Sequence, residues 1–110
     1  MRYYFISIII IAAIAGCAPK LYEAGQQQVD WVNTQYQYAG TVSGFNHART
    51  MYTQYCQTCH NLHMPGEYTI SEWNTIYPNM SVKVSIADSS KQQIYYYIIA
   101  GAKDADVFNN

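Results

Sequence analysis

Cys56-Gln57-Thr58-Cys59-His60 constrains this chain more than any other feature of its sequence. Two thiols three positions apart, followed at once by an imidazole, form the attachment pattern for c-type haem. Thiols so spaced at a helix end can each add to one vinyl group of the same porphyrin, and the next residue's imidazole then sits beneath the iron. A zinc site would need a second ligand pair, and a thioredoxin-like redox pair wants a βαβ setting; the sequence offers neither. A Cys56–Cys59 disulfide would leave His60 unexplained. The expected cofactor is therefore one haem c, covalently held through Cys56 and Cys59, with His60 as an axial ligand to the metal.

The sixth iron position decides the chemistry, because a His/Met pair raises the reduction potential whereas an open position admits gas or peroxide. Met80 lies twenty residues beyond His60, enough chain to turn round the haem edge and present a thioether on the opposite face. Met64 and His63 follow His60 by only four and three residues, which tethers both to the proximal side. Met51 precedes the cysteines on a helix and reads as core. Met80 is the expected second ligand. Trp73 offers an indole N–H that can reach a haem propionate, and as an aromatic on a helix stripe it also reads simply as core. His47 and His63 read as ordinary loop or surface histidines, and no redox role is assigned to the Tyr95–Tyr97 run.

Other chemistry lacks its parts. The 6 Lys and Arg nearly cancel the 7 Asp and Glu, so no basic surface exists for a nucleic-acid backbone. No Gly-rich phosphate loop, Gly-x-Ser-x-Gly elbow or paired-carboxylate signature occurs. With 110 residues there is room for one small domain.

At the N-terminus, Met1 and Arg2 precede a mostly apolar run of thirteen residues, 3–15, that ends in small side chains. That is a signal-peptide core, shorter than the roughly 20 apolar residues a spanning helix needs. It closes with Ile14-Ala15-Gly16-Cys17, which resembles the lipobox of bacterial lipoproteins. The resemblance implies cleavage after residue 16 and a diacylglycerol on the Cys17 sulfur. Ala18, where an Asp would favour inner-membrane retention, tilts the expectation to the outer membrane. The protein is thus expected to be exported and lipid-anchored, facing the periplasm or the cell surface.

Residues 17–43 are rich in Gln, Tyr, Gly, Asn and Thr with weak periodicity, and read as a tether. A short helix over 26–35, burying Val29, Trp31 and Val32 on the domain or on a partner, is the alternative. The domain itself is expected over 44–105, followed by a tail at 106–110. Phe45, Ala48, Met51, Tyr52 and Tyr55 recur at helical spacing, predicting a helix over 46–58. Pro65-Gly66 marks a loop. Thr69-Ile70-Ser71-Glu72 matches a capping box, starting a helix whose stripe is Ile70, Trp73, Ile76, Tyr77 and Met80, with Pro78 distorting its last turn. A final helix is expected over 89–100, stopped by Gly101, although the β-prone run Tyr95-Tyr96-Tyr97-Ile98-Ile99 makes a buried strand the competing reading.

From Phe45 to Ala105 the sequence resembles the small single-haem cytochrome c lipoproteins of Gram-negative bacteria. The likeness rests on Ala48, Arg49 and Tyr52 before the motif, His60, Asn61, Leu62 and Pro65 through and after it, then Tyr68, Thr69, Glu72, Trp73 and Met80. It implies an all-α, class I cytochrome c-like domain around one covalent haem, with His60 and Met80 as axial ligands. It also implies that the Pro65 carbonyl accepts from the far nitrogen of His60, and that the last helix, through Ile94 and Tyr97, crosses the one carrying Ala48. The start of that last helix at Ala87-Asp88-Ser89-Ser90 departs from the family, which usually places a Ser or Thr cap before acidic residues. The connection 81–87 is also richer in β-branched residues than usual.

The function these readings imply is one-electron transfer by a membrane-tethered carrier rather than an enzyme, between a redox donor and an acceptor. Two alternatives stand beside it: a haem subunit docked on a membrane-associated oxidoreductase, and a five-coordinate haem protein that binds gas or reduces peroxide. A haem-stacked assembly of protomers is compatible with the first.

Overall fold

The computed structural model describes residues 20–56 and 62–106. The expected signal peptide, Cys17, Cys59, His60 and the end of the tail lie outside the described residues. Among those described, the chain is all-helical and has no strand. It forms α1 (Gln26–Tyr36), α2 (Val42–Cys56), a 3-10 turn (Pro65–Glu67), α3 (Ile70–Ser81) and α4 (Asp88–Ala100). None of these helices is long and apolar enough to cross a membrane.

The largest contact in the fold is between α2 and α4. Phe45, Ala48, Met51 and Tyr52 form the buried stripe of α2, and Ile94, Tyr97 and Ile98 that of α4. Ala48 and Tyr97 are both 0% exposed and belong to the same buried cluster. This burial also settles the competing strand reading. Ile94, Tyr97 and Ile98 share a face only at helical period, and their packing outweighs the β-propensity of the run that contains them.

α3 lies antiparallel to α4. The Tyr77 hydroxyl donates to the Lys91 carbonyl, and the Tyr95 hydroxyl donates to Oδ1 of Asn74. At the other end, the Ile70 N–H donates to Oδ1 of Asp104 at 2.8 Å. The Thr69 hydroxyl accepts from the Glu72 N–H at 3.2 Å, and the Glu72 carboxylate accepts from the Thr69 N–H at 3.1 Å, which satisfies two orphan donors of the first turn. Pro78 is inside α3, and the helix continues to Ser81. Its missing N–H falls in the final turn, where the chain is already tightening into bonds from Lys83 to Met80 and from Val84 to Ser81, each 3.2 Å. α4 begins at Asp88 with no side-chain cap, its acidic first residue facing the positive end of the helix dipole.

The tether reading does not describe residues 20–43. Leu21, Ala24, Val29 and Val32 are buried. Helix α1, which extends one residue beyond the 26–35 of the alternative reading, packs on α4 and α2. The Tyr22 ring stacks on Tyr97 with centroids 4.6 Å apart, and each hydroxyl donates to the other residue's main-chain carbonyl. Arg49 Nε donates to the Leu21 carbonyl at 3.2 Å, and the Asn46 amide pairs with both the N–H and the carbonyl of Ala24. α1 ends at Gln37 in the left-handed region, φ 52°, and the Asn33 amide then brackets Gly40 through its N–H and carbonyl. Few of these contacts are apolar repeats along the segment, which is why its periodicity is weak.

Gly101 shows how closely the segment is seated. A Cβ there would run into the Tyr22 ring and come within 2.9 Å of the Pro65 Cβ. Gly101→Ala is expected to destabilise the fold by about 1–3 kcal/mol, the usual cost of overpacking. A urea denaturation midpoint equal to that of the parent protein would show that residues 20–25 are not held there.

Candidate functional site

Cys56 is the last residue of α2 and is 8% exposed. It belongs to one apolar cluster with Met51, Tyr52, Trp73, Tyr77, Ile94 and Tyr97, against which Leu62, Met64, Ile76 and Met80 pack half-buried. Cys56 and Leu62, the residues bordering 57–61, therefore hold to the same core. Met80 and Cys56 share that cluster, reached from α3 and from α2 respectively. Met51, 7% exposed, is core, and Met64 sits on the rim.

The loop that follows the motif is pinned by two long-range hydrogen bonds. The Tyr52 hydroxyl, projecting from α2, donates to the His63 carbonyl at 2.6 Å. The Trp73 indole N–H, projecting from α3, donates to the Pro65 carbonyl at 2.8 Å. Trp73 is fully buried, and the Tyr68 ring meets it edge-on with centroids 5.2 Å apart. Its one donor is thus committed within the protein, to the residue the family resemblance singles out as the partner of His60. A carbonyl oxygen has two lone pairs, so Pro65 retains one. Next to it, His63 Nδ1 lies 3.2 Å from Oε2 of Glu67, which also accepts from the Met64 N–H at 2.7 Å.

Neither pinning bond was read from the sequence. Tyr52 was visible as a member of an apolar stripe, and the Trp73 indole N–H was expected at a haem propionate rather than at the Pro65 carbonyl. A buried phenol or indole almost always finds a partner for its polar atom, and that general demand was the available signal. Among the described residues no group of three or more His, Cys, Asp and Glu side chains is arranged to hold a metal ion. The sulfur atoms of Met51, Cys56, Met64 and Met80 all lie in or against this one cluster. An open cleft of about 240 Å³ adjoins this loop, lined by Lys20, Tyr22, Met64, Pro65, Gly66 and Gly101.

Comparison with known proteins supplies no assignment, since no family model, curated protein or solved structure matches the chain.

Four tyrosines of this core have hydroxyl pKa values raised above their ordinary value near 10, chiefly by burial: Tyr22, Tyr52, Tyr77 and Tyr97. The neighbouring Cys56 thiol adds to the rise at Tyr52 and Tyr77, while Arg49 works against it at Tyr97. Because the folded pKa lies above the unfolded one, the protonated phenols stabilise the fold fully below about pH 10, and that contribution is lost as pH rises further. These four are expected to ionise only as the protein unfolds, so phenolate absorbance from them should rise together with the loss of helical circular dichroism. A complete phenolate signal from all twelve tyrosines before any loss of helix would contradict their burial.

The Trp73–Pro65 bond gives a second test. Trp73→Phe leaves a buried carbonyl without its donor, at an expected cost of about 1–3 kcal/mol beyond the lost ring area. Chemical denaturation would read it directly.

Proposed function

We propose that this chain is a lipid-anchored, single-haem c-type cytochrome that transfers one electron at a time between redox partners at a membrane. The reading rests on one observation, the Cys56-Gln57-Thr58-Cys59-His60 spacing, whose three side chains together suit covalent haem and suit no other site considered. In support, Cys56 lies on α2 inside an apolar cluster, and half-buried Leu62, Met64, Ile76 and Met80 border that cluster. A thiol beside incompletely covered apolar side chains is what a flat apolar macrocycle bound there would need. The residues present therefore fit the group.

Cys56 and Cys59 would carry the two thioether links, and His60 and Met80 would be the axial ligands in a class I cytochrome c-like domain. The haem, when bound, supplies an iron that cycles between two oxidation states. The chain supplies the rest. Tyr52 and Trp73 fix the backbone at His63 and Pro65, immediately after the proximal histidine, so that little reorganisation accompanies a change of charge. The remaining lone pair of the Pro65 carbonyl is available to orient the His60 imidazole. Burial of Trp73, Tyr77 and Ile94 keeps water from the interior side of the site. With His60 and Met80 both holding the iron, no position would remain for gas or peroxide, and the chain would act as a carrier and not as a catalyst. Cys17, through its lipid, would confine the protein to the membrane where donor and acceptor reside, on the periplasmic side or at the cell surface.

Visible spectra of the oxidised and reduced mature protein test this. The expected result is a covalently retained haem with low-spin reduced peaks, a weak sulfur-to-iron band near the infrared edge of the oxidised spectrum, and no shift with carbon monoxide. Met80→Ala should abolish that band, admit carbon monoxide and lower the reduction potential. Haem extractable into acidic organic solvent would defeat the covalent reading, and an unchanged band in Met80→Ala would assign the sixth position to another residue.

A further inference from the structure

The packed N-terminal segment has a consequence for how the protein sits on its membrane. A free tether over 17–43 would allow the domain to swing through a contour of about 90 Å, at roughly 3.5 Å per residue. The fold removes nearly all of that freedom. Leu21 is buried and its carbonyl is held by Arg49, Tyr22 is locked to Tyr97 through two hydrogen bonds and a ring stack, and Ala24 is held by Asn46. Leu21 follows Cys17 by four positions, at most about 14 Å of fully extended chain.

We infer that the lipid on Cys17 holds one particular end of the domain against the membrane surface: the end bearing Lys20, Tyr22, Pro65, Gly66, Gly101 and Lys103. The inference rests on the proposed lipidation of Cys17. That this is a single end follows from the contacts. Tyr22, Pro65 and Gly101 meet around the position of the Gly101 Cβ, and Gly66 lies over the Gly101 carbonyl. The Lys103 N–H donates to the Tyr68 carbonyl at 2.9 Å, just before α3 begins. The opposite end carries Lys83, beyond the C-terminus of α3, and Lys91, in the first turn of α4. α3 has 12 residues, so the two ends are separated by about 18 Å of helix.

Charge does not drive this contact. Glu67, Glu72 and Asp104 lie at the same end as Lys20 and Lys103, engaged with His63, Thr69 and Ile70 respectively. The partner is therefore the headgroup layer around the anchor, whatever its charge, and the short link is what imposes the orientation. Redox partners are then met on the flanks and at the Lys83–Lys91 end, within the height of one small domain above the bilayer.

The chain's four lysines outside the expected signal peptide, two at each end, form a built-in probe. The lipidated protein is reconstituted into vesicles of zwitterionic lipid, labelled with a water-soluble amine reagent, and the rate at each lysine is read by peptide mass spectrometry. A second sample carries about ten Gly and Ser residues inserted between Ala18 and Pro19, which adds an average of roughly 17 Å of reach. The expected result is several-fold slower labelling of Lys20 and Lys103 in the parent than in the extended protein, with Lys83 and Lys91 equal in both. Equal rates at all four lysines in the two proteins would overturn the orientation, whether because that end stands clear of the membrane or because it adheres without the short link. The mass of the Cys17 peptide separates the two claims. An unmodified Cys17 overturns the anchor and the orientation together, whereas a diacylated Cys17 with equal rates overturns the orientation alone.

Discussion

The packing of α2 on α4, with Ala48 and Tyr97 fully buried in one cluster, is the largest contact in the fold, and the rest of the structure is arranged about it. With Ala48 fully buried, Tyr52 one turn further along α2 comes level with the interior, and its hydroxyl reaches the chain beyond the motif at His63. Arg49, on the neighbouring flank, turns instead to the Leu21 carbonyl. The N-terminal segment and the loop after the motif are thus both captured by side chains of α2.

The loop after the motif illustrates how a fold of this size immobilises a segment with no regular structure of its own. It has one 3-10 turn, Pro65–Glu67, and its main-chain groups are satisfied from outside. α2 supplies a phenol to His63 and α3 supplies an indole to Pro65. Both donors are rigid aromatic side chains with few rotamers, so holding them in place costs little conformational entropy. The backbone at His63 and Pro65 is thereby fixed from two different helices.

Helix positions were legible in the sequence wherever the information is local. The capping box at Thr69 and Glu72, the stripe of α2 and the stop at Gly101 all depend on residues three or four positions apart. The Cys56-Gln57-Thr58-Cys59-His60 spacing is likewise a local pattern, and its residues 57–60 lie outside the described residues. What local pattern did not carry was contact between distant parts of the chain. Tyr22 and Tyr97 are 75 positions apart, and nothing in the weakly periodic sequence around Tyr22 announces a partner. The continuation of α3 past Pro78 is the reverse case. A strong local signal for disruption met a helix whose length is held by its packing on α4, and the missing donor fell where the hydrogen-bond pattern was already changing.

The abundance of tyrosine acquires a physical reading from these contacts. The hydroxyls of Tyr22, Tyr52, Tyr77 and Tyr97 each donate to a main-chain carbonyl on another part of the chain. Each such residue contributes apolar area and a fixed cross-link at once, which suits a small domain in which only 12% of residues are charged. An exposed ion pair of comparable reach would be weakened by salt and would pay the entropy of two long side chains. A neutral phenol bonded to a carbonyl within the core is indifferent to ionic strength.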